Sequence, residues 1–196
     1  MLNKIVLATH NNHKLQEVRD ILSPLGIEVL GADDVGLTDS PETGTTFEEN
    51  ALQKARSAYQ QIQVPVMADD TGLCISALNG APGLFSARFA KQFGGYPTVF
   101  DEIWRQMGSN PDRTANFTCC IALITGPNKT DEHIFIGQMF GKIDSKASGT
   151  NLFGYDPIFI PDGYSDSCGV LGSEVKNKIS HRAKALEKLC DFLKQS

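Results

Sequence analysis

Ile5-Val6-Leu7-Ala8-Thr9-His10-Asn11-Asn12-His13-Lys14-Leu15 is the stretch from which the fold can be read. A short run rich in β-branched residues gives way to a polar turn, after which Leu15, Val18, Ile21, Leu22 and Leu25 recur at helical spacing. The chain therefore opens strand, loop, helix, because side chains repeat every second residue along a strand and about every 3.6 residues around a helix. Pro24 and Gly26 end that helix, and residues 28–30 supply a second strand.

The same signals continue along the chain. Thr46 and Glu49 have the spacing of a capping box, which predicts a helix through about Gln61 with Phe47, Leu52, Ala55, Tyr59 and Ile62 as its apolar positions. Residues 64–68 read as a strand delivering Asp69 and Asp70 at its end, with a turn at Thr71-Gly72 and extended structure again over 73–78. Gly80-Ala81-Pro82-Gly83 forces a loop, and residues 98–107 form a helix. Alternation at Ala115, Phe117, Cys119, Ile121 and Leu123 marks a half-buried strand, joined by Gly126-Pro127-Asn128-Lys129 to residues 133–143 as a hairpin. Ile179, Ala183, Leu186, Leu189, Cys190 and Leu193 share one helical stripe, with Ser180 placed to cap its final turns. Strand-helix alternation combined with a hairpin indicates an α/β fold: a mixed β-sheet flanked by helices, compatible with two lobes around a cleft. Residues 1–196 are expected to act as one domain.

With 41% hydrophobic residues the chain can bury a sizeable core. Its 18 Lys and Arg against 23 Asp and Glu give a net charge of -5, unsuited to gripping nucleic acid, although a few local cations suffice for a free nucleotide. The five cysteines are odd in number and contain no Cys-x-x-Cys spacing, so neither a disulfide framework nor a thiolate zinc site is expected. That usage fits a reducing compartment, and the apolar run after Lys4 is too short for a signal core or membrane span, so a cytoplasmic protein without membrane contact is expected.

Four segments carry chemistry. Thr9, His10, Asn11, Asn12, His13 and Lys14 collect a hydroxyl, amides, imidazoles and an ammonium where a helix begins, a set able to converge on phosphate oxygens or simply to form a capped polar turn. Asp69 and Asp70 point to opposite sides of an extended chain, and Asp70 is the candidate for the functional side. It can coordinate magnesium, deprotonate a water, or merely cap a turn. A second acid comes from Glu42, Glu48 or Glu49; Glu42 is preferred because Glu49 can be consumed by the capping box and Glu48 can face solvent. Lys54 can add a cation nearby or be a solvated helix residue. Phe153, Gly154, Tyr155 and Asp156 offer rings for stacking on a base and an acid to read its edge, or else core plugs. Lys176, His181 and Arg182 add three donors, or form the solvated basic start of a helix. No Gly-x-Ser-x-Gly elbow and no His-x-x-x-His pair occurs, so attack by water with metal help is the simplest chemistry.

Taken in order, Ala8-Thr9-x-Asn11-x-x-Lys14-x-x-Glu17, Glu42-Thr43-Gly44-x-Thr46-Phe47-x-Glu49-Asn50-Ala51, Ala68-Asp69-Asp70-Thr71-Gly72-Leu73, Gly80-Ala81-Pro82-Gly83, Phe153-Gly154-Tyr155-Asp156-Pro157-Ile158-Phe159 and Ile179-Ser180-His181-Arg182 resemble the inosine triphosphate pyrophosphatase family over almost the whole chain. The resemblance implies hydrolysis of ITP, dITP and XTP to the nucleoside monophosphate and pyrophosphate, with Mg2+ as cofactor. Thr9 to Lys14 would contact the triphosphate, and Glu42 and Asp70 would hold the metal. Asp70 would also accept the proton of the attacking water, and Thr71 would touch substrate. Phe153 to Asp156 and Lys176 would contact the nucleotide, and His181 and Arg182 would read the purine 6-keto region. It also implies an inosine-triphosphatase-like fold and a homodimer. Two departures concern loops: Asn151-Leu152 stands before Phe153 where glycines are expected, and Gly169-Val170-Leu171-Gly172 replaces an Ala-Glu-Leu-Ser/Thr run, so Ser173 would recap the helix before Lys176. The alternatives are a Maf-like pyrophosphatase acting on modified pyrimidine nucleotides and a nucleotide-binding sensor that does not catalyse.

Overall fold

The computed structural model describes residues 2–151 and 153–195. Six strands form one sheet in the order β2-β1-β3-β4-β5-β6: β1 (Lys4–Leu7), β2 (Glu28–Gly31), β3 (Val66–Ile75), β4 (Thr114–Ile124), β5 (Glu132–Ile143) and β6 (Phe159–Pro161). β1 runs parallel to both β2 and β3, whereas β5 and β6 are antiparallel, so the sheet is mixed as expected. The chain packs as two compact units. Unit 1 contains the chain up to Asp70, Cys119–Gly137 and the chain from Arg182; unit 2 contains Thr71–Thr118 and Gln138–His181.

In unit 1 both faces of the sheet are covered. Helices α1 (Asn12–Leu22) and α6 (His181–Gln195) bury Leu15, Val18, Leu22, Leu186 and Leu189 against Ile5, Leu7, Met67, Cys119, Ile121 and Leu123. Helix α2 (Phe47–Ile62) buries Ala51, Ala55 and Ala58 against Val6, Val66, Ala68, Cys120, Ala122 and Ile124. Odd-numbered strand residues therefore face α1 and α6, and even-numbered ones face α2, as the strand period of two requires. The expected half-buried strand is corrected here: in β4 the polar-side positions Cys120, Ala122 and Ile124 are buried too, because a second helix covers the second face.

Local chemistry sets the element ends. Asn11 is extended and its Oδ1 accepts from the backbone N–H groups of His13 and Lys14, which starts α1. Gly26 stops the chain after a single 3-10 turn, in the left-handed region at φ 76 that glycine adopts without strain. Thr46 caps α2 by accepting from Glu49 N at 3.1 Å, but the Glu49 carboxylate turns to the backbone N–H and hydroxyl of Thr45.

Three other expectations are revised. The turn at Thr71-Gly72 does not form; β3 runs straight through, because a buried backbone needs ladder partners and Asp69, Asp70 and Gly72 are all buried. Residues 76–78 form a 3-10 turn, and the short helix α3 (Ser86–Gln92) precedes α4 (Thr98–Met107). The C-terminal stripe is two helices: α5 (Cys168–Ile179), interrupted at Gly172 (φ 75), and α6, separated by the extended residue Ser180. Ile179 accordingly packs with unit 2, while Ala185, Leu186 and Leu189 pack in unit 1. Leu152, one of the two residues of the loop departure before Phe153, lies outside the described residues.

Unit 2 buries one face. Leu73, Ile75, Ala115, Phe117, Met139, Ile143 and Phe159 meet Val99, Phe100, Ile103 and Met107 of α4. Among the described residues no helix is long and apolar enough to cross a membrane. Because Ile121 is fully buried between α1 and α6, Ile121→Ala is expected to lower stability by about 3 kcal/mol through lost transfer energy and a residual cavity; equilibrium urea denaturation measures it.

Candidate functional site

The parity of β3 decides what its two acids meet. Asp69 follows Met67 onto the side of α1 and α6, where Lys14 Nζ lies 2.9 Å from its carboxylate and Arg182 Nη2 donates to Oδ2 at 3.0 Å. Arg182 also donates to Glu17 of α1. Asp70 follows Val66 and Ala68 onto the α2 side, where Lys54 Nζ donates to Oδ1 at 3.0 Å and Asn50 Nδ2 donates to Oδ2 at 3.2 Å. Adjacent carboxylates thus bond different partners, although the Lys54 charge reaches both.

Their protonation differs accordingly. Burial pushes Asp69 toward the neutral form, but the charges of Lys14, Arg182 and Lys54 outweigh it and hold the carboxyl well below the usual range. For Asp70 burial wins: its carboxyl lies above the ordinary value despite Lys54 and Asn50, with the nearby charge of Glu42 adding to the rise. Burial also opposes the charge on Lys54, yet Asp69, Asp70 and Glu42 together keep its ammonium more strongly protonated than usual.

Glu42 enters this group from the loop before α2. Its Oε1 accepts from the same Lys54 ammonium at 3.0 Å, so the two carboxylates converge on one cation. The loop is held by α2: Gly44 N donates to Asn50 Oδ1 at 2.8 Å, and Thr43 N to Gln53 Oε1 at 3.2 Å. Glu49, the competing candidate, is occupied with Thr45. Among the described residues no three His, Cys, Asp or Glu side chains are grouped to hold a metal. The donor set still fits a hard divalent ion, since magnesium takes one or two protein carboxylates and completes its shell with water or phosphate oxygens.

The polar loop after β1 is partly committed to its own structure. Thr9 Oγ1 accepts from Asn11 N at 3.2 Å, Asn11 caps α1, and His10 Nδ1 lies 2.6 Å from Asp33. Asn12 and His13 are exposed in the first turn, and Lys14 is half-buried with its ammonium on Asp69.

Unit 2 assembles a second group. Lys176 Nζ, buried, donates to Asp156 Oδ2 at 2.6 Å and lies 4.8 Å from the centre of the half-buried Phe153 ring. Asn151 Nδ2 donates to the same Asp156 oxygen at 3.2 Å. Gly154 has φ 60, which lets the chain turn between Phe153 and Tyr155. Tyr155 itself is core: it is buried, donates its hydroxyl to Ser86 O at 2.8 Å and packs edge-on to Tyr96. His181 is buried and stacked on Phe117 at 4.8 Å. Thr71 follows Asp70 on β3 and is half-buried.

The cysteines are free, and burial pushes the Cys120 and Cys168 thiols up to about 12, so neither supplies a thiolate nucleophile. Sequence reasoning missed the structural weight of Asn50, Glu17 and Asp69. The missing signal was which helix covers each strand face, which strand periodicity alone does not reveal.

In unit 1, acids converging on a lysine, together with the buried Arg182 cation, suit a phosphorylated small molecule. The chain belongs to the Ham1 family, whose model matches residues 5–192. It is 43% identical over 196 residues to the dITP/XTP pyrophosphatase of Tropheryma whipplei (strain Twist), covering 98% of this chain and 96% of that one. It is likewise 43% identical to the dITP/XTP pyrophosphatase of Porphyromonas gingivalis, covering 98% of each. A solved HAM1 protein from Coxiella burnetii superimposes with a TM-score of 0.88 at 39% identity over the full length of both chains.

Asp69→Asn leaves Lys14 and Arg182 facing a neutral amide in a buried setting, and is expected to cost about 3–5 kcal/mol. Since the Asp69 carboxyl is depressed in the folded state, its contribution is present above the unfolded value near 4 and is lost as pH falls below it. Urea denaturation across pH 2 to 7 is expected to show a flatter acid decline in Asp69→Asn than in the wild type.

Proposed function

We propose that this chain is a nucleoside triphosphate pyrophosphatase that hydrolyses ITP, dITP and XTP between the α and β phosphorus atoms, releasing the nucleoside monophosphate and pyrophosphate. The observation that carries the reading is the convergence of Glu42 and Asp70 on one point, marked by Lys54 Nζ 3.0 Å from each. The family and its relatives support the reaction class.

In this reading Glu42 and Asp70 hold Mg2+, which when bound neutralises phosphate charge and favours in-line attack by water. Asp70 accepts the proton of that water. Thr9 to Lys14 engage the triphosphate, with Lys14 contributing an ammonium, and Thr71 touches the substrate beside Asp70.

Phe153, Gly154, Asp156 and Lys176 take the nucleoside part, with Tyr155 supporting them from the core rather than contacting it, and His181 and Arg182 donate toward the purine 6-keto oxygen. A donor placed for a keto oxygen is left unsatisfied against the amino group of adenine, which is the physical basis for rejecting ATP. The reading also includes residues 1–196 as one catalytic domain, a homodimer and a cytoplasmic location.

Incubating the purified chain with ITP, dITP, XTP and ATP, with and without chelator, is expected to give pyrophosphate from the first three in a metal-dependent way and little product from ATP. Orthophosphate release, or equal rates on ATP, would count against it. Asp70→Asn is expected to lower kcat by about 100-fold to 10,000-fold, the range for loss of a general base, while circular dichroism stays native.

A further inference from the structure

Asn50 lies fully buried on the α2 face otherwise made by Ala51, Ala55 and Ala58. An amide in such a place costs free energy unless both ends are bonded. Its chemistry fixes which end goes where. Gly44 offers a backbone N–H, which can only donate, so the Asn50 oxygen faces Gly44 at 2.8 Å. The amide nitrogen then faces Asp70 and donates to Oδ2 at 3.2 Å, leaving Oδ1 as the oxygen directed to Lys54.

Gly44 is two residues after Glu42, and it cannot retreat into a side chain of its own. A Cβ there would stand 2.7 Å from Asn50 Oδ1 and 2.7 Å from Glu49 Cβ. Gln53 holds the intervening Thr43 but does not bond to Asp70. Asn50 therefore ties the Glu42 loop to the Asp70 strand through direct bonds. Lys54 also links the two acids, but its ammonium fills the point on which they converge, and a divalent ion there would compete with it. Asn50 bonds the other Asp70 oxygen and a backbone group, so its contacts persist when a cation arrives.

We infer that Asn50 is a positioning residue that sets Glu42 relative to Asp70 for a divalent cation and fixes Asp70 Oδ1 as the oxygen presented to it. This rests on the metal assignment proposed above, deepening it with a residue that touches neither substrate nor metal.

The test titrates Mn2+ into the full chain without nucleotide, reading free ion by electron paramagnetic resonance. Asn50→Ala is expected to bind about ten-fold more weakly than wild type, the size typical of residues that orient metal ligands. In steady-state assays the Mn2+ concentration giving half-maximal rate is expected to rise about ten-fold, a shift that a smaller folded fraction, which lowers only the maximal rate, does not produce. Gly44→Ala, pressing on Asn50 from the loop side, should weaken Mn2+ binding in the same direction and serves if Asn50→Ala does not fold. Where both fold, the effect of Gly44→Ala should shrink in the Asn50→Ala background, because both act through one contact. Wild-type Mn2+ affinity in either single variant overturns the inference while leaving the metal assignment standing. Absence of Mn2+ binding in the wild type overturns both.

Discussion

An extended strand throws successive side chains to opposite sides, and at Asp69 and Asp70 this alternation gives two neighbouring carboxylates different surroundings. The rest of the candidate site depends on that separation. Had both acids faced one way, their mutual repulsion would have forced one to protonate. Instead each meets its own helices: Lys14 of α1 and Arg182 of α6 on one side, Asn50 and Lys54 of α2 on the other.

The two environments favour different uses. Asp69 is compensated by two cations in direct contact and stays ionised, so it serves to keep Lys14 and Arg182 in place within the buried interior. Buried ion networks of this sort add little net stability compared with apolar packing, but losing one member is costly because the remaining charges stay desolvated. Asp70 is less fully compensated, and burial raises its carboxyl above the ordinary value. Two acids with opposite shifts are thus set side by side on one strand, distinguished by what covers each face.

Unit 2 shows a related division among its aromatics. Tyr155 spends its ring and hydroxyl on the core, against Tyr96 and the Ser86 carbonyl. Phe153 stays half-buried over the Lys176 ammonium, whose charge is met by Asp156. Gly154 permits the backbone turn that sends the two rings to different places. The pattern Phe-Gly-Tyr-Asp therefore commits Tyr155 to packing and leaves Phe153 half-buried beside Lys176.

Local chemistry alone accounts for the first strand and helix, the Thr46 cap and the helix over 98–107, set by side-chain periodicity and capping residues, while Glu42 stood beside Glu48 and Glu49 as one of three acids open to pair with Asp70. The co-linear motifs also carried the family. Tertiary packing decided the rest. A continuous β3 through Thr71-Gly72, the second buried face of β4 and the division of the last helical stripe at Ser180 each depend on which helix lies against which face. The same holds for the bonds of Asn50, which join a loop six residues before it to an acid twenty residues after it. Periodicity specifies that a face is apolar or polar, but only the packed chain supplies the partner that makes a buried charge stable or a buried amide useful.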